Sequence, residues 1–191
     1  MKFFNLIGLV ALVIFTTNVA EAQTTGHAHS QPVKADTVKK KSIPQEEHAQ
    51  IGATHITILY SSPAVRGRII WGGLVGYDQV WVTGAHRATS FEIDREFSID
   101  QKKIPAGKYA VFTIPGQDKW GFILNRKWDQ HLADDYSPAE DVLRFEVAPR
   151  TLSENQERLS YTITEISETE AVLSISWEKI KVNIPFKLNS N

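Results

Sequence analysis

From Gln50 onward, apolar residues return at every second position in one short run after another. Ile56, Ile58 and Tyr60 alternate with His55, Thr57 and Leu59, and Leu143, Phe145 and Val147 with Val142, Arg144 and Glu146. Leu159, Tyr161 and Ile163, then Leu173, Ile175 and Trp177, then Ile180, Val182, Ile184 and Phe186, repeat the pattern. A period of two sends one face to a core and the other to water, which is the mark of a half-buried strand. Residues 109–114 (YAVFTI) are apolar on both faces and read as a central strand. Turn signals separate the runs: Gln101-Lys102-Lys103, Pro105-Ala106-Gly107, Pro115-Gly116 and Ser167-Glu168-Thr169-Glu170. No stretch of a dozen residues holds a helical period. The best helical candidate is a single turn over residues 137–141, where Ser137 suits the cap and Pro138 the first helical position. These observations together predict an all-β fold, an antiparallel β-sandwich of immunoglobulin-like or jelly-roll-like type, as a single domain over residues 49–189.

The chain must stabilise that sandwich without covalent help, because it contains no cysteine. Disulfides, thiolate metal sites and a cysteine nucleophile are thereby excluded. Lys+Arg number 21 and Asp+Glu 22, so the chain as a whole carries no general attraction to nucleic acid or to acidic membranes.

The N-terminus reads as an address. Lys2 is followed by an apolar run at residues 6–15 (LIGLVALVIF) and by Ala20-Glu21-Ala22, small residues at the positions a signal peptidase reads. Residues 1–22 are therefore expected to be a signal peptide, cleaved after Ala22. The run is too short to cross a bilayer core of about 30 Å without its flanks. The expectation is an exported protein, periplasmic or secreted, with no transmembrane segment after cleavage. Residues 23–48 are polar, without sustained period, and read as a flexible linker. Within it, His27 and His29 lack a fixed frame for a metal, and Lys39-Lys40-Lys41 reads as a solvated run.

Motifs for common chemistries are missing: no Gly-x-Ser-x-Gly elbow, phosphate-cradling glycine loop, His-Glu-x-x-His or dinucleotide fingerprint occurs. Weaker constellations remain, concentrated in residues 60–89 and 125–136. His86 and His131, with Asp129, Asp134 and Asp135, have the donor types for a divalent metal, His86, His131 and Asp135 being the candidate ligands. The same histidines with Asp134 are candidates for acid–base catalysis. Arg66 and Arg68, two apart on an expected strand, point to one face and could clamp a carboxylate or phosphate. Trp71, Trp81 and Trp128 lie beside turn glycines or in loops, where indole rings stack on sugars or anchor partners. Trp120 and Trp177 sit in clean strand patterns and are assigned to the core. The turn Thr83-Gly84-Ala85-His86-Arg87 presents a histidine and an arginine with no nucleophile selected beside them.

The segments SSPAVRGRIIWGGLVGYDQVWVTGAHRATSFEI, IPAGKYAVFTIPG, W-x-x-x-L-N, HLADDY and DVLRFEV, in that order, resemble a family of secreted bacterial proteins, domain-of-unknown-function family 2911. The resemblance runs from about Ile51 to Phe186. It implies an exported protein, typical of Gram-negative bacteria, with an all-β domain and no established activity. The family pattern has Arg where Val82 stands and Asn-Glu where His86-Arg87 stand, so the resemblance carries over no site residues. The leading expectation is a binding sandwich whose Trp/Arg/His-rich loops (Arg66, Arg68, Trp71, Trp81, Thr83, His86, Arg87, Trp128) contact a small molecule, a carbohydrate or an envelope protein. A hydrolase using His86 and His131 with an Asp, with or without metal, is one alternative. A structural envelope component is the other. Nucleic acid is not an expected partner.

Overall fold

The computed structural model describes residues 41–189. Ten strands follow one another: β1 (Ser42–Ile51), β2 (Thr54–Pro63), β3 (Thr89–Ile93), β4 (Phe97–Ile99), β5 (Lys102–Ile104), β6 (Gly107–Ile114), β7 (Trp120–Asn125), β8 (Asp141–Val147), β9 (Arg150–Ser167) and β10 (Glu170–Leu188). One sheet has six strands in the order β1-β2-β3-β6-β7-β8, and the other has four in the order β5-β4-β10-β9. Every strand pairing is antiparallel. The fold is an all-β sandwich, with no α-helix among the described residues.

The alternating residues fill the space between the sheets. Ile56, Ile58, Phe91, Phe122, Leu124, Tyr161, Leu173, Ile175, Ile184 and Phe186 are all buried in one continuous core. Its two aromatic clusters differ. Phe91, Phe97 and Phe186 meet with ring centroids 5.6–6.4 Å apart. Elsewhere four tryptophans meet: Trp71 stands edge-on to Trp81, Trp120 and Trp177, and Trp81 stacks on Trp177 at 5.6 Å. The buried indole N–H groups of Trp71 and Trp177 have no oxygen or nitrogen partner. The edge-to-face geometry sets positive ring edges against the π faces of neighbours, which compensates such donors in part.

Three boundaries differ from the sequence expectation. The expected signal peptide (1–22) and most of the expected linker (23–48) lie outside the described residues. The linker's last part is not a linker: residues 42–48 belong to β1, paired with β2 along its whole length from Ser42↔Pro63 to Ile51↔Thr54. These residues are polar because β1 is an edge strand. One of its carboxylates, Glu47, accepts the Ile163 N–H of β9 at 3.2 Å, so a polar side chain closes the rim between the sheets. The turn expected at Gln101-Lys102-Lys103 is shifted. Asp100 and Gln101 form it, both with positive φ (47° and 64°), and Lys102 and Lys103 already pair with β4; two positive φ values in a two-residue loop are the type I′ hairpin signature. The helical turn is a 3-10 turn, Pro138–Glu140, and Ser137 precedes it without a side-chain cap bond.

Candidate binding cleft

The outer face of the six-stranded sheet is not uniformly wet. Residues 76–88 and 126–136 fold over its middle and bury a second, smaller core of Val82, Ala88, Ala110, Phe112 and Ile123, with Tyr136 packed edge-on to Phe112 at 5.0 Å. That cover explains why residues 109–114 are apolar on both faces.

Asn125, the last residue of β7, holds the second loop down. It is fully buried, and all its hydrogen-bonding capacity toward the loop is used. Its Nδ2 donates to Ser137 O (3.0 Å) and Asp141 Oδ1 (2.9 Å), and its Oδ1 accepts from Lys127 N (3.0 Å) and Gln130 Nε2 (3.2 Å). Asp141 extends the network: its Oδ2 accepts the Tyr136 hydroxyl at 2.7 Å and is paired with Arg144. Burial, followed by that hydrogen bond and the charge of Asp141, pushes the Tyr136 phenol up to about 12. From the sequence this asparagine received no role, although it closes the apolar run Phe122-Ile123-Leu124 and ends the W-x-x-x-L-N segment.

The two loops zip together. Arg87 and His131 form an antiparallel bridge, flanked by Leu132 N–H to His86 O (2.7 Å) and Ala88 N–H to Gln130 O (2.9 Å). The 80s turn and the 130s loop therefore lie side by side. Their side chains divide differently. Arg87 pairs with Asp129, and Trp128 lies under Lys108, whose Nζ is 4.5 Å from the ring centroid. His86 Nε2 is 2.8 Å from Ser42 Oγ. No carboxylate among the described residues bonds either His86 or His131, and Asp134 and Asp135 are exposed. Among the described residues no group of three His, Asp or Glu is gathered in a way that could hold a metal.

Beside the zipped loops runs an open cleft of about 630 Å³. Strand register builds its floor. Pro44 faces Ser61, Glu46 faces Leu59, and Leu59 faces Ser90, so these side chains share the outer face. Glu92 faces Lys108 one row on and holds it at 3.2 Å. Arg87, Trp128 and Asp129 form the opposite wall, and Gln45, Tyr60 and Ala88 complete the lining. Trp128 keeps 43 % of its surface exposed there. The charges come in pairs: Arg87 with Asp129, Lys108 with Glu92, and Glu46 with His48 at 2.7 Å.

The other sequence candidates lie elsewhere. Trp71 and Trp81 are half-buried against the main core, and Thr83 is fully buried, its Oγ1 3.0 Å from Thr113 Oγ1. Arg66 and Arg68 are not on a strand. β2 ends at Pro63, Arg66 has φ 53°, and Gly67 follows with φ 68°, so the alternation stops before it can align them. Arg68 turns its guanidinium back onto Val65 O (3.1 Å) and Ala64 O (2.5 Å). Pro44, Gln45, Glu46, Leu59, Ser61, Ser90 and Lys108 line the cleft without having been singled out in the sequence, because only register across the sheet joins them.

The chain matches the family described as "Protein of unknown function (DUF2911)" over residues 42–186, which is most of its length, and it belongs to that family. No curated protein and no solved structure matches it.

Proposed function

We propose that this family member is a binding protein for neutral carbohydrate, and that the cleft beside Trp128 is its site. The observation that carries the reading is the pairing of one exposed indole with charged side chains that already neutralise one another. A sugar ring offers an apolar C–H face for stacking and a rim of hydroxyls that both donate and accept. Arg87, Lys108, Gln45 and the serines supply donors, and Asp129, Glu46 and the same serines supply acceptors. A charged ligand would have to break an existing ion pair to be bound; a neutral polyol can use the spare lone pairs and N–H groups without doing so. An aromatic wall with a few convergent polar groups is the usual make-up of a small-ligand site. The apolar run and small-residue end of residues 1–22 support export, placing such binding in the periplasm or outside the cell.

The test is intrinsic fluorescence and calorimetry against neutral gluco-, manno-, galacto- and N-acetylglucosamine oligosaccharides. Binding is expected to shift Trp emission and to be lost in Trp128→Ala, whose melting temperature stays near wild type because the ring is exposed. If no oligosaccharide binds more tightly than about 1 mM, roughly −4 kcal/mol, or if Trp128→Ala binds as well as wild type, the reading fails.

A further inference from the structure

The loop that follows β2 sets apolar side chains on the outside of the molecule. Ile69 is 78 % exposed, Leu74 50 % and Tyr77 37 %, while Ile70 and Val75 between them are buried. The loop is built to hold them there. Leu74 N–H donates to Ile69 O (3.0 Å), Val75 N–H to Ile70 O (2.9 Å) and Gly72 N–H to Val75 O (2.8 Å). Two glycines permit the tight contact. A Cβ at Gly73 would stand 2.6 Å from Ile69 O, and one at Gly72 would stand 2.8 Å from the Tyr77 ring. The three side chains therefore belong to one fixed patch, and a fixed apolar patch in water marks an interaction surface.

Cations outnumber acids at the base of the patch, where Arg66, Arg68 and Lys41 stand against Glu157, whose Oε1 accepts the Arg66 backbone N–H at 2.9 Å. Among the described residues the Arg66 guanidinium bonds no carboxylate, and the Arg68 guanidinium bonds the neutral carbonyl oxygens of Ala64 and Val65. Lys41 adjoins them, since its carbonyl accepts Ala64 N–H at 3.1 Å. The net charge of −1 for the whole chain does not oppose this, because charge acts over about 8–10 Å in physiological salt.

We propose that this loop is a contact for an anionic phospholipid surface. Ile69, Leu74 and Tyr77 enter the boundary between headgroups and acyl chains, and Arg66, Arg68 and Lys41 meet the lipid phosphates. Tyrosine suits that depth because its ring is apolar and its hydroxyl polar. Arginine suits phosphate because its N–H groups form a planar fork. The base-positive, tip-apolar arrangement complements an anionic bilayer better than a protein face, which would have to bring unpaired acids to the same arginines.

The absence of cysteine makes a local test simple. Leu74→Cys in the full chain carries one NBD fluorophore at the patch; Ile166→Cys, at the exposed residue before the β9–β10 turn, carries it away from the patch. On vesicles of phosphatidylglycerol and phosphatidylethanolamine, the label at position 74 should shift to the blue and become shielded from an aqueous quencher, and that at position 166 should not. Arg66→Glu in the labelled chain should weaken the partition roughly thirtyfold, as reversing one charge near such a surface predicts. A signal at position 74 no larger on these vesicles than on phosphatidylcholine, or no larger than at position 166, overturns the proposal.

Discussion

Replacing Asn125 by Asp changes one N–H₂ into an oxygen at the point on which the 126–136 loop hangs. The acceptor side of the residue survives, because the carboxyl still receives Lys127 N–H and Gln130 Nε2. The donor side does not: Ser137 O and Asp141 Oδ1 each lose an N–H that stood within 3.0 Å. In acid the introduced carboxyl is protonated and gives its single O–H to Asp141, so only the Ser137 carbonyl is left unpaired, a loss of about 1–2 kcal/mol. At neutral pH the same group must either ionise in a fully buried site, facing a carboxylate oxygen at 2.9 Å, or keep its proton. Burial and like charge both raise its pKa. A rise of about 2–3 units adds ~3–4 kcal/mol. Because the folded pKa then lies above the unfolded value near 3.9, the variant is least impaired below about pH 4 and loses stability as pH climbs through about 6–7.

The expected deficit against wild type is therefore about 1–2 kcal/mol at pH 4 and about 4–6 kcal/mol at pH 8. Urea unfolding at several pH values, followed by Trp emission, measures it through the midpoint at constant m. Asn125→Ala serves as the comparison: it loses all four bonds, introduces no charge, and should show a deficit with no such slope. A flat deficit for Asn125→Asp between pH 4 and 8 would refute the argument that Asn125 is a dry, fully committed hub.

Three further outcomes follow from the same geometry. Tyr136→Phe should remove from an alkaline absorbance titration one phenol ionising near pH 12; since its folded pKa is raised, mainly by burial, wild type keeps this stabilisation below pH 10 and loses it between about 10 and 12, and the variant lacks that limb. Gly116→Ala should destabilise by about 1–3 kcal/mol, because the added Cβ would stand 2.3 Å from Lys119 O and the β6–β7 turn must open, seen as a lower urea midpoint. Leu132→Gly should be neutral or stabilising by up to about 1 kcal/mol in the same assay, since Leu132 holds φ 52° with its side chain 40 % exposed and a left-handed leucine costs more than the added glycine entropy.

What was legible in the sequence was whatever a local period encodes. β8, the second half of β9 and much of β10 alternate, and Trp120 of β7 and Trp177 of β10 are buried as their strand patterns indicate, at 3 % and 1 % exposure. β1 was not legible, because an edge strand needs little apolar surface and Glu47 there serves a backbone N–H of β9. The glycines around Trp71 and Trp81 misled in the other direction. They signal turns, and the turns fold both rings inward onto Trp177. Gly67 had a similar effect on the arginines, ending the extended backbone that would have aligned them. The cleft is the least local feature of all. Pro44 and Glu46 reach Trp128 and Arg87 only through the pairings 44↔61, 46↔59 and 59↔90, and no run of neighbouring residues records a register.

That dependence on register bears on how rigidly the cleft is formed in the protein alone. Thr83, His86 and Leu132 all hold positive φ without being glycine, and all three lie in the two loops that form or flank its wall. Such backbone costs of the order of 1–3 kcal/mol per residue and persists only where surrounding structure dictates it. Here the dictating contacts can be named: Tyr161 OH donates to Thr83 O at 2.7 Å from inside the core, Leu132 N–H binds His86 O, and Ser42 on β1 holds the His86 ring. Each strained residue is thus tied to a strand or to the opposite loop, so the wall carrying Arg87, Trp128 and Asp129 is set by the sandwich and not by the ligand. A cleft fixed in this way would give up little conformational entropy on binding, so the proposed uncharged ligand would need only one stacking indole and a few shared hydrogen bonds to be held.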